Sequence, residues 1–267
     1  MYSVKQEVKS AEKPAAMRAT RLCKSFSHVR ALREASITVQ RGHVVALLGD
    51  NGAGKSTLAK CLCGAHQPDS GSIEVDGVSA TLDSIKEAQR LGITAVYQDL
   101  SLAGDLSVTD NVFLGYEVRK SGWRKRLGVL DREEMAAQTD EALRGLGIVL
   151  PTVWCPVGVL SGGQRQAVAV AKAVMWSASY IVMDEPTAAL GTRQADIVCD
   201  VIRSAAARHL GVLVIAHDIP RMLEVADWVV VMRQGRVVLS TVNRGLSLRD
   251  VVDAMVGHHE SEKELSS

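Results

Sequence analysis

Residues 49–57 read GDNGAGKST and match GxxxxGK[ST], the pattern of a phosphate-binding loop. Residues 43–48 (HVVALL) are typical of a short buried strand, and the apolar residues after Thr57 recur at helical spacing. A strand, a glycine-rich turn and a helix N-terminus together direct successive backbone N–H groups at a polyphosphate. Lys55 is expected to reach the β- and γ-phosphates, and the Ser56 hydroxyl is expected to bind Mg²⁺. The loop therefore predicts ATP binding by Gly49, Asn51, Gly52, Gly54, Lys55, Ser56 and Thr57.

The charge balance and the distribution of apolar residues limit the kinds of partner that the protein is expected to bind. The 267 residues include 31 basic and 30 acidic side chains, so the formal net charge is +1. This balance gives no global attraction to nucleic acid, and we expect no nucleic-acid partner. No apolar run approaches the length that spans a bilayer, and the polar N-terminus lacks the apolar stretch of a signal peptide. We therefore expect a cytoplasmic protein, whose five cysteines are reduced thiols and not metal ligands.

Strand and helix patterns alternate along most of the chain, which indicates an α/β fold with a mainly parallel sheet covered by helices. The prediction is one domain over 17–257 with a P-loop NTPase core, interrupted by a mainly helical insert at about 99–160. Residues 1–16 and 258–267 are predicted to be a flexible arm and a flexible tail. Strands are predicted near 18–22, 35–39, 43–48, 72–76, 93–97, 180–184, 212–216, 228–232 and 236–241, and helices near 132–145, 162–176 and 193–207.

Two carboxylates follow the apolar stretch 180–183 (YIVM). A buried strand beside the phosphate loop would deliver Asp184 to the Mg²⁺ shell. Glu185 would then be placed to orient and activate the attacking water. A helix N-cap after a core strand is the alternative interpretation, because Pro186 comes next. The phosphate loop in the same chain favours the catalytic interpretation.

Residues 160–164 read LSGGQ and open the next predicted helix. The N–H groups and the positive end of a helix dipole make such a start an anion site. An ordinary N-cap is the alternative interpretation. One nucleotide needs only one such site on a domain, so a second anion site is expected to serve a neighbouring molecule. The predicted nucleotide contacts therefore include Ser161, Gly162, Gly163 and Gln164.

The motifs occur in one order: GDNGAGKST, Gln98 at a strand end, LSGGQRQ (160–166), IVMDEPT (181–187) and His217 after a strand. Together they resemble the nucleotide-binding subunit of an ATP-binding cassette (ABC) transporter over about 17–257. The resemblance implies the ABC ATPase fold, in which an antiparallel β subdomain and the helical insert flank the core. It also implies an ATPase that depends on Mg²⁺ and forms a head-to-tail homodimer. Each phosphate loop would face the LSGGQ of the other chain across ATP.

The resemblance assigns further roles. Phe26 matches the aromatic residue that stacks on adenine, with a core phenylalanine as the alternative. Gln98 matches the glutamine that touches Mg²⁺ and the attacking water, and His217 matches the histidine that contacts the γ-phosphate. With Glu185 they form the predicted catalytic set, while Ser56, Gln98 and Asp184 form the predicted metal set. Gly191 departs from the family pattern, because most cassettes carry Asp there, and this puts the coupling between the two sites in question.

Three stretches, 49–57, 95–115 and 183–191, are similar to the ATPases of bacterial importers of monosaccharides such as ribose, xylose or fructose. We therefore expect sugar import through an integral membrane permease, with a separate solute-binding protein. The chain would lie on the cytoplasmic face of the inner membrane, and residues 98–115 would shape a groove for a permease helix. Two alternatives stay open: a cassette for another solute, such as an amino acid or a lipid, and a soluble cassette acting on ribosomes or DNA. Only the basic residues at 119–126 favour the second alternative.

Overall fold

The computed structural model describes residues 15–96, 102–121, 128–188 and 190–257. Within these ranges the strands lie in two sheets. A four-stranded antiparallel sheet contains β1 (Ala16–Phe26), β2 (Val29–Gln40), β4 (Ser70–Val75) and β5 (Val78–Ala80), in the order β2-β1-β4-β5. A six-stranded sheet contains β3 (Val44–Leu48), β6 (Ile93–Val96), β7 (Tyr180–Asp184), β8 (Gly211–Ile215), β9 (Trp228–Arg233) and β10 (Arg236–Val242), in the order β10-β9-β3-β8-β7-β6.

The six-stranded sheet is parallel from β9 to β6, and only β10 pairs antiparallel to its neighbour. Strands β3, β7 and β8 have buried side chains on both faces, as expected for central parallel strands. Because the strands run the same way, their carboxyl ends lie along one edge of the sheet. That edge carries the predicted site.

Several helices begin at residues whose side chains cap them. Ser84, Ser107 and Asp131 each accept a hydrogen bond from a backbone N–H of the first turn that follows, and so satisfy one of the donors that every helix start leaves free. The helices are α1 (Lys55–Leu62), α2 (Ile85–Arg90), α3 (Val108–Phe113), α4 (Arg132–Gly145), α5 (Gly162–Trp176), α6 (Thr192–Ala207), α7 (Ile219–Val225) and α8 (Leu248–Val256).

Two hydrophobic clusters lie on opposite faces of the six-stranded sheet. On β3, Val44, Ala46 and Leu48 join the cluster that contains α5 and α6. The intervening Val45 and Leu47 join the cluster that contains α1 and the antiparallel sheet. This alternation follows from the two-residue period of a strand. The sheet is therefore held between a helical layer and the antiparallel β subdomain.

The ABC ATPase fold predicted from the sequence is confirmed, with differences at the edges. β1 begins at Ala16, which is fully buried, so this strand includes the last residue of the predicted arm. Helices α2, α3, α7 and α8 and the three-residue β5 were not predicted. The rest of the arm, residues 1–14, and the tail, 258–267, lie outside the described residues.

A polar cluster joins the antiparallel sheet to the core sheet. Arg41 donates hydrogen bonds to Asp76 and, at 2.6 Å, to the Ser179 hydroxyl. The hydroxyl of Tyr180, a fully buried residue, donates to the same Asp76 carboxylate. Burial by itself would raise the pKa of Asp76, but the hydrogen bonds from Arg41 and Tyr180 outweigh it and lower that pKa. Since Tyr180 opens β7, the cluster fixes the start of the strand that ends at the site.

We predict that Tyr180→Phe lowers the free energy of unfolding by about 1–3 kcal/mol, because Asp76 loses a donor in a partly buried position. Urea unfolding followed by circular dichroism measures the change. Tyr116→Phe is the matched control, since the Tyr116 hydroxyl has no hydrogen bond to the described residues, and it should change stability by less than about 0.5 kcal/mol. Equal losses in the two variants would contradict this role of the cluster.

Candidate functional site

The phosphate loop connects the end of β3 to the start of α1 and depends on two glycines. Gly49 has φ 144° and Gly54 has φ 104°, both in the region that favours glycine. A Cβ at Gly49 would collide with the Met232 carbonyl oxygen, and one at Gly54 would lie 2.5 Å from the carbonyl oxygen of Ala31. The loop is thus wedged between β9 and β2. The exposed Asn51 and Gly52 form its outer rim, and the partly buried Thr57 lies in the first turn of α1.

Lys55 lies inside this loop. Only 5% of the residue is exposed, and Nζ donates to the carbonyl oxygens of Gly49 at 2.6 Å and Asp50 at 2.9 Å. Burial lowers the pKa of Lys55, whereas the nearby carboxylates of Glu185 and Asp184 act to raise it. The ammonium group therefore faces carbonyl oxygens and two carboxylates from a partly desolvated position. A polyphosphate would supply the formal negative charge that this position favours.

Ser56 and Asp184 form the predicted metal pair. The Ser56 hydroxyl donates to Asp184 Oδ1 over 3.4 Å, and this contact joins the start of α1 to the end of β7. Burial raises the pKa of Asp184, and the neighbouring Glu185 carboxylate acts in the same direction. A hydroxyl and a carboxylate oxygen are the hard ligands that Mg²⁺ prefers, and a cation would stabilise the partly buried Asp184 carboxylate, so the two residues fit this ion.

Within the part of the chain that the structure describes, no group of three or more His, Cys, Asp or Glu side chains could hold a metal. Mg²⁺ beside nucleotides commonly has one or two protein ligands, and phosphate oxygens and water complete its coordination.

Glu185 and His217 meet directly after the ends of two neighbouring strands. Asp184 on β7 lies opposite Ile215 on β8, and the Glu185 N–H donates to the Ile215 carbonyl at 2.9 Å. Glu185 has φ 53°, an uncommon value for a residue with a side chain. In this conformation Oε1 lies 2.7 Å from His217 Nε2, which donates the hydrogen bond. The structure thus brings together Lys55, Ser56, Asp184, Glu185 and His217.

The LSGGQ segment forms the start of α5. Ser161 and Gln164 close a capping box: the Ser161 hydroxyl accepts from the Gln164 N–H, and the Gln164 side chain accepts from the Ser161 N–H. Ser161 is exposed, while Gly163 is buried, and a Cβ there would lie 2.5 Å from Gln194 Cβ. Gly163 therefore permits close packing of α5 on α6, whatever its role toward a nucleotide.

The remaining predicted residues lie apart from this cluster or outside the described ranges. Phe26 ends β1, is 42% exposed and packs edge-to-face on His66 at a centroid distance of 5.2 Å. Gln98 lies outside the described residues. Gly191 is the N-cap of α6, is exposed and makes no side-chain cap.

Three residues that shape the site were not predicted, because no pattern in the sequence indicates the contacts that they make. The carbonyl oxygens of Ile215 and Met232 constrain Glu185 and Gly49, and Gln194 sets the packing at Gly163. Backbone carbonyls are common to all residues, so only the tertiary arrangement identifies these contacts.

The site matches that of a known family. The ABC transporter family model matches residues 32–188, which include the phosphate loop, LSGGQ and the β7 carboxylates. The chain belongs to this family. It is 41% identical to the xylose/arabinose import ATP-binding protein XylG of Sulfolobus acidocaldarius over 87% of this chain and 90% of that protein. It is 39% identical to the fructose import ATP-binding protein FrcA of Rhizobium meliloti over 91% of this chain and 94% of that protein.

The fold is also that of solved cassettes. The ADP conformation of MJ1267, an ATP-binding cassette of an ABC transporter, superposes with a TM-score of 0.78 at 24% identity, covering 96% of this chain and 100% of that chain. The family match and the two import ATP-binding relatives, not this likeness of fold, identify the protein as an ABC-type ATPase that binds and hydrolyses ATP to power transport. The described helices include none with the length and apolar character needed to cross a bilayer.

We predict that Asp184→Asn raises the free energy of unfolding of the nucleotide-free protein at pH 7 by about 1 kcal/mol, while it abolishes hydrolysis. The reason is that burial and Glu185 disfavour the charged carboxylate, as the raised pKa of Asp184 indicates. The native state therefore loses stability as the pH rises through the raised pKa, and the amide avoids this loss.

Urea unfolding at pH 7 and near pH 4 measures the effect, and the advantage of the variant should shrink at the lower pH. Asp105→Asn is the control, because Asp105 is exposed on the helical insert and should show no such gain. A destabilised Asp184→Asn protein at pH 7 would contradict the prediction.

Proposed function

We propose that this ATPase energises the import of a monosaccharide through a membrane permease. The observation that carries the proposal is the convergence of Lys55, Asp184, Glu185 and His217 at one sheet edge, in a chain whose relatives XylG and FrcA are import ATP-binding proteins for pentoses and fructose. These relatives match along nearly their whole length, which favours a shared role as a single-cassette subunit.

Nucleotide binding begins with an exchange of partners at Lys55. The ammonium group releases the carbonyl oxygens of Gly49 and Asp50 and binds the β- and γ-phosphates, while the loop N–H groups surround the same oxygens. Ser56 and Asp184 would hold Mg²⁺, whose bound charge neutralises part of the phosphate charge. Phe26 is proposed to stack on adenine, as the family resemblance implies, and its ring is partly exposed.

Hydrolysis depends on Glu185. Its carboxylate accepts the proton of the attacking water, and the 2.7 Å hydrogen bond from His217 fixes the direction in which that carboxylate points. A neutral imidazole has one N–H, so in the loaded site His217 would direct it to the γ-phosphate and stabilise the charge that develops there. The left-handed backbone at Glu185 is held by the Ile215 carbonyl, so the carboxylate does not depend on ligand for its position.

A second chain completes the site. Gly162 and Gly163, at the start of α5, lie against Leu190 and Gln194, which follow the end of β7, so this helix start lies at the same sheet edge as the phosphate loop. The capping box uses the Ser161 oxygen only as an acceptor, which leaves the exposed hydroxyl hydrogen free to donate to phosphate. In the proposed head-to-tail homodimer this group meets the ATP on the partner, and closure removes water from the reaction.

The permease is proposed to dock beside the helical insert. Tyr116 and Trp176 stack at a centroid distance of 4.2 Å and line a cleft of ≈ 240 Å³ between α2, β6 and α5. Leu106 and Leu114, which come from the predicted docking segment, are 38% and 48% exposed. Exposed apolar groups beside a groove fit a helix from the permease. Strand β6 lines this cleft, and Gln98, which comes two residues after it in the sequence, is proposed to link the permease to the nucleotide.

We predict that Glu185→Gln binds ATP but hydrolyses it at least 100-fold more slowly, and that it accumulates as an ATP-bound dimer, since the amide cannot accept the proton of water. Steady-state phosphate release and size-exclusion chromatography with ATP measure both effects. Glu224→Gln, which changes an exposed carboxylate on α7, should hydrolyse ATP at the normal rate. Normal turnover in Glu185→Gln would remove Glu185 from the role of base.

The transport role is tested by affinity purification of the tagged protein from detergent-solubilised membranes, followed by mass spectrometry. We expect a polytopic permease and a sugar-binding protein. An amino-acid-binding or lipid-binding protein in their place would contradict sugar import. Ribosomal proteins or nucleic acid without a membrane protein would contradict import altogether.

A further inference from the structure

A second cleft lies at the opposite edge of the core sheet, away from the nucleotide. Its volume is ≈ 660 Å³, within the range of small-molecule sites. Strands β3 and β9 begin at this cleft and end at the phosphate loop, so the five residues of β3 separate the two sites by about 16 Å. The mechanism proposed above uses no residue of this cleft.

The floor of the cleft is fixed by hydrogen bonds. Asp227 accepts from the Val44 N–H through Oδ2 at 2.8 Å, and its own N–H donates to the Val44 carbonyl at 2.9 Å. The Asn243 side chain donates to the carbonyls of Leu223 and Ala226 at 2.7 and 2.8 Å. The cleft is thus preformed, which favours binding because little ordering is needed.

Three polar side chains that line the cleft, those of Thr38, Gln40 and Arg244, form no hydrogen bond or ion pair to the residues described here. Arg244 is exposed, and its guanidinium is suited to bidentate binding of a phosphate. The neutral groups of Thr38 and Gln40 suit hydroxyl groups, since both can donate and accept.

Trp228 supplies the apolar surface. The partly buried indole lines the cleft beside Val45 and Ala226, and Nε1 donates to the Ser240 hydroxyl at 3.0 Å, which fixes the ring. A rigid aromatic surface near neutral hydrogen-bonding groups and an arginine suits a ligand that has a ring, hydroxyl groups and an anionic group.

From this combination we propose that the cleft is a binding site for a phosphorylated monosaccharide. The phosphate binds Arg244, the hydroxyl groups bind Thr38 and Gln40, and the ring lies on Trp228. The site is independent of the nucleotide site, and the proposal stands whether or not the chain serves sugar import.

The test is ¹⁵N-indole NMR of the full chain with ribose 5-phosphate, fructose 6-phosphate and glucose 6-phosphate, run in parallel with ribose and inorganic phosphate. The chain has four tryptophans, and Trp228→Phe assigns the relevant resonance. At least one sugar phosphate should shift the Trp228 signal saturably and leave the others unmoved. Ribose and phosphate alone should bind at least tenfold more weakly.

Two matched variants locate the ligand. Arg244→Gln should weaken binding about tenfold or more, whereas Arg236→Gln, at the other end of β10, should bind as the unaltered protein does. Lys55→Ala, which disables the phosphate loop, should retain binding of the sugar phosphate and lose binding of ATP. This separates the result from the proposed ATPase cycle.

Three outcomes would overturn the proposal. The first is the absence of a Trp228 shift with all three sugar phosphates at millimolar concentration. The second is equal binding by the Arg244→Gln and Arg236→Gln proteins. The third is loss of sugar phosphate binding in Lys55→Ala, which would place the ligand in the phosphate loop.

Discussion

The parallel register of β3, β8 and β7 is the constraint on which the site depends. Leu47 lies opposite Ile215, and Ile215 lies opposite Asp184, so the three strands end at one level. β3 continues into the phosphate loop, β8 leads to His217, and β7 leads to Glu185. A slip of one residue in any strand would move its group by about 3.3 Å and turn its side chains to the other face. Alternate residues of each strand pack into the two hydrophobic clusters, and this packing prevents such a slip.

In the nucleotide-free site the charges of Lys55 and Asp184 are in unfavourable surroundings that a bound ligand would improve. Burial lowers the pKa of Lys55 and raises that of Asp184, so each charge is disfavoured where it stands. Glu185 adds a left-handed backbone conformation that costs about 1–3 kcal/mol in typical cases. Phosphate opposite Lys55 and a cation beside Asp184 would compensate these charges. ATP binding is thereby linked to the stability of this edge of the sheet.

The sequence predicted the parts of the site that depend on local pattern. GDNGAGKST and the strand before Asp184 can be recognised from the local sequence pattern alone. The roles of His217 and Phe26 depend on the family resemblance. Short helices such as α3 and α7 were missed because six or seven residues show little periodicity, and β5 is shorter still. The contact of Gly163 with Gln194 joins two helices, and no local pattern in either one encodes their distance.

We propose that each active site combines the phosphate loop of one chain with the LSGGQ of another. Mixing two inactive variants, Lys55→Ala and Ser161→Arg, is the sharpest test of this shared site. We expect no hydrolysis by either variant alone and ATPase activity in the mixture, because one site of the mixed dimer retains both intact halves. A mixture that stays inactive at protein concentrations where the dimer forms would contradict the shared site.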